Sequence, residues 1–343
     1  MRNITVFAVL VIILNGVSFA DETPVASYAL SSWTSFGTFL GQAEEIVYPP
    51  SEYKAEKLSQ LLWDILPVFY YGFSLDFSPV QPWEKWGFFA TLSLKNGIPG
   101  RSGRMEDRDW ASIQNAALTH YSVHNNYTNT LFFLDLSAGL SLPFNQLLLK
   151  TYLTLSYMYF SFTGQYGHGT YAREIGGENS GIFASIDDNP RRESFSNWEK
   201  VINYTQSWLT VTPGVSLGYY FNRFFAEVFF NISPLITCDD VDEHLTNSKT
   251  FKDYMRGGIF LEPGFHFSFI ASRQLEFAFD FSWRYIGGTK GASWYNDGMI
   301  GTATFRQEGK AGAGLSLFNI GLCMKIRLPL KEKAEEKAAG LNR

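Results

Sequence analysis

The sequence predicts an all-β protein, an antiparallel transmembrane β-barrel of about ten strands with long extracellular loops. Three observations carry this. Large apolar residues alternate with small or polar ones, with a period of two, over run after run. The connections between runs are alternately short and long. Aromatics make up 17% of the 343 residues, with 31 Phe and 18 Tyr, yet beyond residue 20 no apolar segment reaches the roughly 20 residues of a spanning helix.

Residues 1–20 read as a secretory signal. Arg2 supplies the positive start, Val6 to Leu14 the apolar stretch, and Ser18-Phe19-Ala20 a small-x-small cleavage site before Asp21. The alternative is a single-pass anchor, but the apolar stretch is too short for one. The barrel is then expected over 21–330, outside the inner membrane, with a charged tail over 331–343.

In the barrel, each alternating run assigns its own faces. Leu275, Phe277, Phe279, Phe281, Trp283 and Tyr285 fall on one side of a strand, and Glu276, Ala278, Asp280, Ser282 and Arg284 on the other. In a barrel the aromatics meet lipid and the charges line the lumen. Leu134 to Leu142, Leu209 to Tyr219 and Ile259 to Phe269 repeat the pattern with small or polar lumen residues, among them Gly139, Gly214 and Gly264. Each run reaches the roughly 9 to 11 residues that a tilted spanning strand needs. The last strand carries Phe318, Ile320, Leu322, Met324, Ile326 and Leu328, and stops at Pro329.

The connections complete the argument. Pro143-Phe144-Asn145, Phe221-Asn222-Arg223 and Ser272-Arg273-Gln274 are tight and polar, as periplasmic turns are. Segments near 99–128, 166–202, 239–252 and 287–308 are long and polar and are expected as exterior loops. A net charge of −5 provides no basic footprint for nucleic acid. No Gly-rich phosphate loop is present, and the sequence predicts no cofactor. Two cysteines, Cys238 and Cys323, are too few for a disulfide framework, although one bridge fits an oxidising compartment.

Two polar segments concentrate acids. One is Arg104-Met105-Glu106-Asp107-Arg108-Asp109-Trp110. The other, Cys238-Asp239-Asp240-Val241-Asp242-Glu243-His244, directly follows an apolar run. Asp107 and Asp109 share a face if the strand extends that far, and so do Asp242 and His244. Such a set can activate water: a neutral imidazole takes the proton while a carboxylate on its other nitrogen fixes the tautomer. Two facing carboxylates would share a proton. Read from the residues alone, each pair is better explained as solvated loop acids or a weak calcium site. Zinc is disfavoured, because His-Glu-x-x-His is absent; His120, His124 and His168 read as loop histidines and His266 as a lumen residue.

Motif order adds a resemblance. Met105-Glu106-Asp107-Arg108-Asp109-Trp110 followed by Asp242-Glu243-His244 resembles the two catalytic motifs of the omptin family of outer-membrane aspartyl-type endopeptidases. Gly41-Gln42-Ala43-Glu44-Glu45-Ile46-Val47-Tyr48 with Lys57-Leu58-Ser59-Gln60-Leu61-Leu62-Trp63 is similar to its first hairpin, and Gly312-Ala313-Gly314 to the start of its last strand. The resemblance implies a protease domain in the cell outer membrane with its active site facing the exterior. Asp107 and His244 would hold the nucleophilic water, with Asp109 beside Asp107 and Asp242 orienting His244. It further implies that Glu45 and Asp240 floor a pocket for Arg or Lys, so the partners are peptides or proteins with basic residues. Family members also depend on an envelope lipid, lipopolysaccharide, held by charged residues on the outer wall. This chain departs there, with Tyr157 and Tyr159 where Glu and Arg are expected, and it lacks a terminal aromatic. A non-catalytic barrel, acting as an adhesin or a narrow pore, is the competing expectation.

Overall fold

The computed structural model describes residues 28–329, apart from 81, 83–84, 178–179, 247 and 298–303. The expected signal and charged tail lie outside the described residues. Fourteen strands form one antiparallel sheet: β1 (Tyr28–Val47), β2 (Ser59–Pro79), β3 (Gly87–Gly97), β4 (Gly100–Asp109), β5 (His120–Phe144), β6 (Leu147–Tyr171), β7 (Arg191–Phe221), β8 (Phe224–Ser233), β9 (Ile236–His244), β10 (Lys249–Arg256), β11 (Ile259–Ile270), β12 (Leu275–Gly287), β13 (Lys290–Asp297) and β14 (Thr304–Pro329). β1 pairs with β14, from Ala29 opposite Pro329 to Val47 opposite Ala311, which closes the ring. Four consecutive pairs of strands (β3/β4, β8/β9, β10/β11 and β12/β13) each continue a single stave, so the barrel has ten. Closure removes the free edges that an open sheet would expose in lipid.

The four interruptions have chemical causes. Pro99 parts β3 from β4, and Pro234 parts β8 from β9; neither residue can donate to the ladder. Gly257 and Gly258 part β10 from β11, with φ of 76° and 83°, and Gly288, with φ of 75°, stands between β12 and β13. At Gly258 a Cβ would sit 2.3 Å from the carbonyl oxygen of Gly287, so this left-handed close approach needs glycine. Both acid-bearing strands, β4 and β9, therefore begin just past a proline break.

Below the breaks, the alternation holds. Phe277, Phe279 and Phe281 are exposed on the outer wall while Glu276, Ala278 and Ser282 are buried inside. Tight turns at Asn145 and Asn222, both with positive φ, close this end. Above the breaks, the polar segments expected as loops are mostly strand. β5 starts at His120 and β6 runs on to Tyr171, so His120, His124 and His168 lie on strands. With water outside the wall, a strand no longer needs an apolar outer face, and its lipid-facing signature disappears.

The lumen is filled in two layers. The lower layer holds a cavity of about 380 Å³, lined with charges that pair across it: Lys150 with Glu227 at 2.9 Å, Lys325 with Asp76 at 3.2 Å, and Arg284 with Glu262 at 2.9 Å. No residue of either acidic motif lines this cavity. Arg284 also reaches Asp135 at 3.6 Å. Removing its charge strands the buried Glu262 and the part-buried Asp135, so Arg284→Met is expected to destabilise the barrel by about 3 kcal/mol in equilibrium urea unfolding.

The upper layer is apolar, and the alternation did not announce it. Phe39 packs on Tyr70 and Phe133 at 4.5 and 4.7 Å, and Phe133 on Phe160 at 5.7 Å. Trp63 stacks between Phe162 and Tyr204 at 5.6 and 5.3 Å. The runs Leu131-Phe132-Phe133 and Met158-Tyr159-Phe160 are apolar on both faces because one face meets the outer wall and the other meets this plug. Cys238 and Cys323 are both buried free thiols.

Candidate active site

The plug is the floor on which the acidic cluster stands. On β9, alternation turns Ile236, Cys238, Asp240 and Asp242 inward, all buried, and leaves Asp239 and Glu243 exposed outside. Those two acids have no place in the site; Glu243 instead accepts a hydrogen bond from Asn203 at 3.3 Å. On β4, Met105 is buried in the plug, and Asp107 and Asp109 follow it on the same face, half-buried. Arg108 and Glu106 pair on the opposite face.

His244 Nε2 lies 2.7 Å from Asp242 Oδ2. The ring meets Phe251 edge-on, centroids 5.6 Å apart, so its orientation is fixed from two sides. Ser59 pairs with Asp109 across the β2–β4 ladder, and its hydroxyl works to lower both the Asp107 and the Asp109 carboxyl. Asp109 faces His120 on β5. The Ser59 hydroxyl thus acts on both carboxylates, and Asp107 Oδ1 is buried without a partner.

The charges of this group act on one another. Burial pushes the Asp107 carboxyl well above the usual carboxylate range, the Asp109 charge adds to this, and His244 only partly offsets them. Burial also raises Asp109, against the Ser59 hydroxyl and the histidines His120 and His244. Both shifts favour a proton shared between the two carboxylates. Burial alone would lower the His244 imidazole, but the charge and hydrogen bond of Asp242, with Asp107 and Asp109 behind them, raise it to about 9. At neutral pH His244 is thus an imidazolium, where a neutral base was expected. The sequence could not show this, because the shift depends on three carboxylates brought together from two distant strands.

Glu45, on β1, joins the same cluster. Burial raises its carboxyl well above the ordinary value, and the charges of Asp242, Asp240, Asp253 and Asp107 raise it further. Asp240 Oδ2 accepts the Tyr204 hydroxyl at 2.9 Å. Gln206 donates to the Tyr204 oxygen at 3.0 Å, and Trp208 Nε1 to Gln206 Oε1 at 2.8 Å. A buried relay on β7 therefore aims Asp240.

All six residues singled out from the sequence (Glu45, Asp107, Asp109, Asp240, Asp242 and His244) meet at this end of the barrel. Sequence reasoning missed Ser59, Tyr204, Gln206 and Asp253. The first three lie in plain alternating stretches, and their roles come only from cross-strand register. His124 is a core histidine, 3.0 Å from the Ser122 hydroxyl and edge-on to Phe195. Among the described residues, no group of three or more His, Cys, Asp or Glu side chains is arranged to hold a metal ion.

A closed ten-stave barrel with an apolar outer wall and no free strand edge is an integral β-barrel of the outer-membrane type. Residues 26–328 match the model of the omptin family, and the chain belongs to that family. In structure it is similar to the outer membrane protease OmpT from Escherichia coli, with a TM-score of 0.78 and 19% identity, covering 90% of this chain and 99% of that one. The transport unit of the Escherichia coli autotransporter AIDA-I aligns at a TM-score of 0.31 and 8% identity, over 93% and 97% of the two chains. The Pseudomonas putida toluene transporter TodX aligns at 0.27 and 8%, over 88% and 91%. No curated protein matches the sequence.

Proposed function

We propose that this outer-membrane protease is an endopeptidase that cleaves peptide bonds beside Arg or Lys, using water activated between the Asp107–Asp109 pair and the Asp242–His244 pair. One observation supports this above the rest: an oriented imidazole–carboxylate pair, a proton-sharing acid pair and two buried acids with unpartnered oxygens, Glu45 Oε2 and Asp240 Oδ1, occupy one cluster. His244 takes the proton of the attacking water, and Asp242 holds the imidazolium that forms. The shared proton on Asp107 and Asp109 stabilises the developing oxyanion and then serves the leaving amine. Glu45 and Asp240 receive the guanidinium or ammonium of the substrate. The site lies at the end opposite the tight turns, which in outer-membrane barrels is the exterior.

The test is cleavage of fluorogenic peptides with basic residues by the full chain in detergent, with and without envelope lipid. Lipid is an explicit arm because Tyr157 and Tyr159 occupy the outer wall where charged residues are expected. Cleavage of neutral peptides alone, or of none in any lipid, would overturn the proposal.

The pH dependence follows from His244. Only the neutral imidazole accepts a proton, so kcat/KM is expected to rise with pH through about 9. Asp242→Asn removes the main group holding the imidazolium, so any residual activity should titrate nearer the ordinary 6.5. Stopped-assay profiles over pH 6 to 10 read both; a wild-type profile flat over that range would remove His244 as the base.

The pore reading makes a contrary prediction. The plug of Phe39, Phe133, Phe160 and Trp63 is almost entirely buried, so planar-bilayer conductance should stay at the baseline, whereas discrete open levels would favour the pore.

A further inference from the structure

Directly opposite Asp240 in the β9–β10 ladder stands Asp253. Its other neighbour, across β10–β13, is Ser293, whose hydroxyl works to lower the carboxyl. Glu45, Asp240 and Asp253 are 2%, 3% and 4% exposed. Each keeps one carboxylate oxygen buried and unpartnered: Glu45 Oε2, Asp240 Oδ1 and Asp253 Oδ1. Among the described residues, no Lys or Arg forms an ion pair with any of the three. Like charges opposed across a ladder destabilise it, and burying unpaired carboxylates costs far more than burying apolar groups. The arrangement therefore works against stability. What it offers is three unpartnered acceptors, from β1, β9 and β10, close enough that the charges of Asp240 and Asp253 both act on Glu45.

We propose that Asp253 is a third acid of the specificity pocket and that it makes the pocket select arginine over lysine. This rests on the reading that Glu45 and Asp240 bind the basic side chain. A guanidinium spreads five N–H donors over a plane and can serve acceptors on three strands at once; an ammonium concentrates three donors on one nitrogen. The guanidinium is also the more weakly hydrated, so a buried pocket strips it of water at lower cost. Asp240 is fixed by the Tyr204 hydroxyl, and Asp253 is set by its ladder positions opposite Asp240 and Ser293, so the acceptors are held in place before the substrate arrives.

Two fluorogenic peptides that differ only in Arg or Lys at the scissile position test this on the full chain in detergent. Wild type is expected to favour Arg. Asp253→Asn, nearly isosteric, should cut the Arg-to-Lys ratio of kcat/KM about tenfold, mainly through KM, since one charge-assisted hydrogen bond is lost from the Arg complex. Ser293→Ala should move the ratio the same way by less, and it decides the matter if Asp253→Asn does not give a heat-modifiable folded band. A ratio unchanged in the variants, or an equal loss on both peptides, overturns the role of Asp253. If, in addition, Asp240→Asn leaves basic-peptide cleavage intact, the pocket itself is wrong; if Asp240→Asn abolishes it, only the third acid is.

Discussion

His244→Ala is expected to lower kcat/KM for an Arg-containing peptide by about a thousandfold, the middle of the range for loss of a positioned general base, while the protein still migrates as a folded barrel. His244 is part-exposed, and its ring nitrogen faces Asp242 at 2.7 Å, so it contributes chemistry more than packing. Asp109→Ala should cost a similar factor by a different route. It leaves Asp107 without the neighbouring charge that helps hold its carboxyl well above the ordinary value, and the shared proton is lost. Because the groups act as one unit, the double variant His244→Ala/Asp109→Ala should be little worse than either single change. Fully additive losses would mean that the two pairs work independently, which the proposed water-sharing mechanism forbids.

The lower half of the barrel was legible in the sequence because lipid imposes a strict rule. Phe277, Phe279 and Phe281 had to face outward and Glu276, Asp280 and Arg284 inward, and they do. Above the proline and glycine breaks that rule lapses, and legibility lapses with it. Polar residues on both faces of β4, β9 and β10 resembled loops, although they are strands standing in water. The apolar plug was hidden for the converse reason: where Leu131-Phe132-Phe133 is apolar on both faces, alternation carries no information. The acids of the site were visible as a dense cluster, and the family motif divided their roles. Asp253 stayed out of sight because only the β9–β10 register places it against Asp240. His244 shows the deeper limit. Its identity was plain, but its charge state depends on how closely Asp242, Asp107 and Asp109 gather around it.

The second large effect concerns the floor of the pocket. Asp240→Asn is expected to reduce kcat/KM for basic peptides by roughly 100-fold, about 2.7 kcal/mol, as truncating one partner of a buried, hydrogen-bonded charge pair does. The Tyr204 hydroxyl at 2.9 Å still finds an amide oxygen in the variant, so the relay through Gln206 survives and the loss reflects charge alone. Stability should move the other way. Asp240 is 3% exposed, and its carboxyl is raised well above the ordinary value by burial and then by Asp253, so the free protein carries an unfavourable charge that the asparagine relieves. Urea unfolding of the substrate-free barrel should therefore show Asp240→Asn no less stable than wild type while its turnover of Arg peptides collapses. A variant that loses activity and stability together would place Asp240 in the architecture of the rim, and the pocket would have to be sought elsewhere. Retained activity with unchanged stability would leave the β9 acid without the role that its burial and its relay otherwise support.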